Sequence, residues 1–317
     1  MIFAFFLPPA LCHYINMVLI AHISDIHLSP LPPVKWHELL SKRITGFLNW
    51  KLKRAKHMQS DTLDNLVRHL KTKKPDFCAI TGDIVNLSLE KEFEQAAIWM
   101  KDFSSVEKAC IIPGNHDAYL NGSLEKFQHS FGDYAKGDTI DNQPFPFTRK
   151  INDVAIISCS SAIPTMPFMA YGKFEEEQAK RLAQTLEALG RANYFRIVLI
   201  HHPVIGKAAD GFRKGLHGAD LFQKTIKENG AELILHGHTH KSSINAITGV
   251  KNGGHDGETP VIGVASASAS AEHGDDPARY NLFNIKRIGT KWSCEMKEFG
   301  YQRIGDEIIQ RLKVRIY

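Results

Sequence analysis

Apolar residues along this chain fall into short blocks that alternate between two periods. Val18 to Ile23 is a compact β-branched run, the pattern of a strand buried on both faces. Leu63, Leu66, Val67 and Leu70 then recur at helical spacing before a second continuous run, Phe77 to Thr81. Phe93, Ala96, Ala97 and Met100 mark another helix, and Ala109 to Ile112 a third strand, so the chain up to residue 115 predicts a βαβαβ unit. The second half repeats the style. Strands are expected at Val154 to Ser158, Arg196 to Ile200 and Leu233 to Leu235, with helices at Phe174 to Leu189 and Asp220 to Glu228. Beyond Lys241, short runs at Val261 to Ala265, Asn281 to Ile285 and Lys291 to Lys297 predict strands that close the domain antiparallel.

One stretch departs from this rhythm. After the Pro-rich segment Leu28 to Val34, Trp36, Leu39, Leu40, Ile44, Phe47 and Leu48 give helical spacing over 36–48. Residues 35–57 carry Lys35, Lys42, Arg43, Lys51, Lys53, Arg54 and Lys56 against Glu38, whereas the whole chain has a formal charge of +5, so the rest is close to neutral. This basic amphipathic insertion reads either as a solvated surface helix or as a contact for a membrane surface or anionic substrate.

The polar residues that end the apolar blocks change the picture most. Asp25-Ile26-His27, Gly82-Asp83, Gly114-Asn115-His116-Asp117, His201-His202-Pro203 and Gly237-His238-Thr239-His240 each close such a run. Strand ends are where open α/β sheets bind ligands. Asp25 and His27, two apart, share one face of an extended segment. Glycine, asparagine and aspartate are also ordinary turn residues, and any single one of the 16 histidines is more often structural than a ligand. Five blocks with the same placement outweigh that reading. The donors are hard oxygen and imidazole, which suit Mn, Fe or Zn and leave thiolate chemistry aside.

Composition limits the alternatives. Hydrophobic residues at 43% and charged residues at 23% exclude a disordered chain, and no apolar run reaches the roughly 20 residues of a spanning helix. Of five cysteines, Cys78, Cys110 and Cys159 lie inside apolar strand-like runs, which favours reduced thiols and a cytoplasmic location. Residues 1–16 read as a non-structural extension, with either Met1 or Met17 as the natural start, and 17–317 as a single domain.

The five blocks, in this order, resemble the calcineurin-like metallophosphoesterase superfamily from about residue 18 to 285. The resemblance implies an α/β fold, a four-layer α/β/β/α sandwich of two mixed sheets, with two metal ions at the strand ends. By position Asp25, His27 and His240 would hold one metal, Asn115, His201 and His238 the other, and Asp83 would bridge them. His201 is preferred to His202 because the family uses the first residue of His-x-Pro. Two ions about 3.5–4 Å apart activate a bridging water and stabilise both attacking and leaving oxygens at phosphorus. His116 would bind a phosphoryl oxygen or protonate the leaving group, with Asp117 orienting its ring. The basic, glycine-bearing segment Gly206 to Gly218 suits either a mobile loop near an anion or a plain exposed loop, and 253–257 and 271–277 read as surface loops.

The expected activity is hydrolysis of a phosphodiester, a cyclic nucleotide included, in a small phosphorylated substrate. The alternatives are a pyrophosphate hydrolase of a lipid-linked sugar nucleotide at the membrane, and a metal-binding scaffold without turnover. Nucleic acid is disfavoured as a partner, because no extended basic face with interleaved aromatics is present beyond 35–57. Oligomeric state is left open.

Overall fold

The computed structural model describes residues 17–39, 41–51, 60–270, 276–303 and 306–317. Strand β1 (Met17–Ile23) leads through a 3-10 turn at Trp36–Leu39 and a short helix α1 (Arg43–Asn49) to helix α2 (Ser60–Thr72) and strand β2 (Phe77–Ile80). Helix α3 (Glu90–Phe103) and strand β3 (Ala109–Ile111) complete the βαβαβ unit, with β1, β2 and β3 parallel. The start of α3 is fixed by Glu92, whose carboxylate accepts the N–H groups of Asn86, Leu87 and Leu89 at 2.7, 3.0 and 3.0 Å.

Helix α4 (Ser123–Phe131) precedes a second sheet, entered through β4 (Asp138–Thr139), β5 (Phe147–Ile151) and β6 (Val154–Ser158). Then follow β7 (Gly172–Lys173), α5 (Glu176–Arg191), β8 (Phe195–Leu199), β9 (Leu216–His217), α6 (Ala219–Asn229), β10 (Leu233–His236), β11 (Ser243–Thr248) and β12 (Glu258–Gly263). The chain returns to the first sheet with β13 (Arg279–Ile288), β14 (Lys291–Gly300) and β15 (Ile309–Arg315). The first sheet has the order β15-β14-β13-β1-β2-β3 and the second β11-β12-β10-β8-β6-β5-β4, both mixed.

Strand alternation divides the core into layers. Val18 and Ile20 of β1 meet Phe195, Ile197, Leu235 and Phe283 between the sheets. Ala21 and Ile23 point the other way, onto Leu66 and Leu70 of α2 and Phe93 of α3. The outer face of the second sheet, Ile157, Val198 and Ile234, packs on Leu182 and Leu186 of α5 and Phe222 of α6. Each fully buried large side chain contributes about 1.5–3 kcal/mol, and together they fix the α/β/β/α order expected from the sequence. Cys78, Cys110, Cys159 and Cys294 are buried free thiols. Burial pushes Cys78 and Cys110 up to about 12, so they pack as small hydrophobes.

Two expectations need correction. The helix over 36–48 is interrupted: Trp36–Leu39 is a 3-10 turn and α1 starts anew at Arg43, after Ser41 N–H donates to Leu39 O at 2.7 Å. Its apolar residues therefore do not share one face. Phe47 packs on Leu87, Leu89 and Tyr119, while Trp36, Ile44 and Leu48 remain exposed. The strand near Val261 lies in the second sheet, parallel to β10 and antiparallel to β11, so of the three expected strands β13 and β14 close the first sheet antiparallel, with β15 added beyond β14. The extension 1–16, the basic residues Lys53, Arg54 and Lys56, and most of the 271–277 loop lie outside the described residues. Among the described residues no helix is long and apolar enough to cross a membrane.

Candidate metal centre

The strand ends of both sheets converge. Loops after β1 and β2 continue to pair beyond the sheet, with the N–H groups of Asp25, His27 and Leu28 donating to Gly82, Asp83 and Ile84 carbonyls at 2.9, 2.9 and 2.8 Å. That ladder turns with φ of 52° at Asp25, 43° at His27 and 55° at Asp83. His238 and His240 also take positive φ, 67° and 55°. Left-handed backbone is uncommon outside glycine, is tolerated best by Asn, Asp and His, and collects at functional sites. The turns close tightly: a Cβ on Gly114 would lie 2.5 Å from Asp83 N, and one on Gly237 would lie 2.5 Å from Asp25 Oδ2.

All seven candidate ligands face this convergence. Asp25, His27 and His240 present donor atoms within 4.8 Å of one another, as do Asp25, Asp83 and His201. Asp83 Oδ2 lies 3.8 Å from His27 Nε2 and 3.5 Å from His201 Nε2, between the two groups. Asn115 Oδ1 is 3.3 Å from His201 Nε2 and 2.8 Å from His238 Nδ1, and His240 Nε2 is 3.2 Å from Asp25 Oδ1. Asp25, His27, Asp83, Asn115 and His201 are buried, whereas His116, His238 and His240 are partly exposed and form the open side.

Neighbours set each ring. His201 Nδ1 donates to Thr81 O at 2.6 Å and His27 Nδ1 to Val85 O at 3.3 Å, which turns both Nε2 atoms inward. His202 is held away: its Nε2 donates to Ala170 O at 3.2 Å and its Nδ1 faces Ser161 Oγ at 2.7 Å. Burial, with His238 and His201 adding to it, holds His202 well below the usual imidazole range, so it is neutral. It nevertheless lies within 4.8 Å of His201 and His238, but with both ring nitrogens engaged.

His116 stands beside this group, its ring 4.9 Å from that of His27 and stacked at 5.7 Å on Tyr119. Its N–H donates to Asp83 Oδ1 at 2.7 Å, and Nδ1 donates to Asn86 O at 2.6 Å. The expected ring-orienting role of Asp117 is not what the structure shows. Asp117 Oδ2 accepts the N–H groups of Asp83 and Gly114 at 2.7 and 2.8 Å, and Oδ1 those of Ile84 and Val85 at 3.0 and 3.2 Å. It staples two loops, and Asn86 O holds the ring. The sequence also passed over Ser266, whose hydroxyl donates to Asp25 O at 2.6 Å. The alternating serines at 266, 268 and 270 were its only signal. His255, in the 253–257 loop, lies against Tyr317.

The electrostatics suit cations. Burial opposes ionisation of Asp25 and Asp83, yet His240 beside the first and His201 and His116 beside the second hold both carboxyls well below the usual range. Burial likewise opposes a proton on His201, but Asp83 raises it to about 9. Burial, then His201, lowers His238 to about 3. Asp25 Oδ1 and His238 Nε2 are buried and accept no hydrogen bond among the described residues. Two ionised carboxylates, an amide oxygen and inward imidazole nitrogens fit a pair of divalent transition-metal ions.

A family model described as calcineurin-like phosphoesterase matches residues 18–242. No curated protein matches the chain by sequence. Among solved structures, a dimetal phosphatase from Danio rerio is similar at a TM-score of 0.62 and 13% identity, covering 95% of this chain and 99% of its own. A purple acid phosphatase from yellow lupin seeds (Lupinus luteus) is similar at 0.58 and 10% identity, covering 93% of this chain and 53% of its own. At these identities the likeness concerns the fold.

Proposed function

Because the chain belongs to the calcineurin-like phosphoesterase family, we propose that it is a metal-dependent phosphodiesterase whose seven converging side chains hold two ions. Asp25, His27 and His240 would hold one ion, Asn115, His201 and His238 the other, with Asp83 shared. The observation that carries this reading is the place of Asp83 Oδ2, 3.8 Å from His27 and 3.5 Å from His201, where one carboxylate reaches both groups. Bound ions would supply Lewis-acid polarisation of the phosphoryl group and an activated water.

The chain's own residues supply the rest. His116, on the open side with Nδ1 tied to Asn86 O, is aimed by that bond and can give a proton to the departing oxygen. An alkyl phosphoester expels an alkoxide that needs this proton, which supports esters with strongly basic leaving groups, alkyl diesters among them. Tyr119 backs the ring of His116, and the Lys42 ammonium sits 4.5 Å from the Tyr119 ring centre, a cation that would favour a negatively charged group approaching His116. Both cyclic nucleotides and open-chain diesters fit this chemistry.

The test is protein loaded with Mn, Fe or Zn and assayed on bis(p-nitrophenyl) phosphate, cyclic AMP and p-nitrophenyl phosphate. Two ions per chain, diester turnover, and loss of both ions in Asp83→Asn are expected. Full metal content in that variant would remove the shared role, and two bound ions without turnover on any ester would make the chain a scaffold.

A further inference from the structure

The interrupted basic segment leaves large apolar side chains in solvent beside the centre. Trp36 is 76% exposed, and Ile44 and Leu48, one turn apart on α1, are each 51% exposed. Two other segments do the same: Met166 and Phe168 are each 71% exposed and Phe212 74%. Contacts join the three segments into one rim. Lys42 Nζ donates to Thr165 Oγ1 at 2.6 Å and to Met169 O at 3.2 Å, while Arg213 Nη2 donates to Phe168 O at 2.9 Å. The rim adjoins the centre, since Ala170 O accepts from His202 Nε2.

Phe168 is the most telling residue. It has a φ of 65°, a conformation that bulky side chains rarely adopt, and the turn is held by Met169 N–H to Met166 O at 3.1 Å and by Arg213. Strained backbone is thus spent on displaying a phenyl ring to water. Around these tips Lys35, Lys51, Lys207, Arg213 and Lys214 are exposed, against Asp210. Protein–protein interface cores are poor in lysine, whereas aromatic tips among lysines match an anionic lipid–water boundary.

We propose that this rim docks on an anionic phospholipid surface and presents the centre to phosphodiesters of lipid headgroups. The choice of substrate rests on the phosphodiesterase reading; the docking does not, and is measured by binding alone.

The experiment is co-sedimentation of the metal-loaded protein with phosphatidylcholine vesicles, with and without phosphatidylglycerol, at low and high salt. Wild type is expected to partition onto anionic vesicles at low salt and to be released by salt. The double variant Phe168→Ser/Phe212→Ser, and separately Lys207→Glu/Lys214→Glu, should each weaken partition by about tenfold while bis(p-nitrophenyl) phosphate turnover stays unchanged. Equal binding to neutral vesicles, or an aromatic variant that binds like wild type, overturns the proposal. So does a concentration-dependent dimer abolished by the aromatic variant, which would mean that a second copy covers the rim. Docking without turnover of any ester would leave the surface in place and defeat the phosphodiesterase reading instead.

Discussion

Replacing Asp117 by asparagine separates an orienting role from a stapling one. Each carboxylate oxygen accepts two backbone N–H groups, from Asp83 and Gly114 on one side and Ile84 and Val85 on the other. An amide offers one oxygen, so whichever way it turns, its NH₂ faces two buried N–H donors. Each buried donor left unpaired costs about 1–3 kcal/mol, giving about 2–6 kcal/mol for the pair. At about 2 °C per kcal/mol for a chain of this size, the midpoint of thermal unfolding should fall by several degrees. Because the stapled loop carries Asp83, the variant should also retain less metal after gel filtration. Burial and the charge of Asp83 push Asp117 up to about 7, so the comparison is made at pH 8, where the wild-type carboxylate is ionised. Differential scanning calorimetry and metal analysis give the readouts. A variant with wild-type midpoint and metal content that merely loses turnover would refute the stapling argument and restore the ring-orienting one.

His116→Asn should fold and bind metal but lose turnover, with the smaller loss on p-nitrophenyl diesters, whose leaving group needs no proton; an equal loss across leaving groups would indicate phosphate binding instead. Glu232→Gln should cost about 3–5 kcal/mol in urea unfolding yet leave kcat unchanged, because it weakens the pairing at 2.8 Å with the buried Arg196 guanidinium, at the entry ends of β8 and β10 and opposite the ends that lead to His201 and His238. Burial lowers Lys42 to about 8 from its ordinary 10.5. Between those values the unfolded chain binds the extra proton, so wild type should gain stability relative to Lys42→Met as pH rises from about 8 to 10; a flat difference in unfolding free energy over that window would contradict the burial effect.

The βαβαβ unit was legible because parallel strands buried on both faces read as unbroken apolar runs, and because every run ended on polar residues. The interrupted segment at 36–48 was not legible, since a 3-10 turn followed by a helix keeps nearly the same spacing as one helix. β15 was missed for a different reason: its side chains are mostly exposed, so pairing with β14 rather than burial makes it a strand. α4 shows only Phe127 and Phe131 as large buried positions, too few to establish a period. Within the centre, residue types and strand-end placement brought all seven candidate ligands to one place. What adjacent letters could not show was direction. His201 and His202 are neighbours whose rings part toward Thr81 and Ser161, and Asp117 turns from His116 toward amides more than thirty residues earlier.

The candidate ligands are divided between the sheets: Asp25, His27, Asp83 and Asn115 follow strands of the first, His201, His238 and His240 strands of the second. Ions held there would work as a clasp across the seam, and linkage makes such a clasp reciprocal. Whatever the ions add to docking of the sheets, the fit of the sheets must return as affinity for the ions. Trimming Ile197 to valine or Phe283 to leucine in the packing between the sheets, neither residue being a candidate ligand, would then register as a weaker metal site. The interior of this protein is in that sense a dial on its inorganic chemistry, turned by residues that never touch a cation.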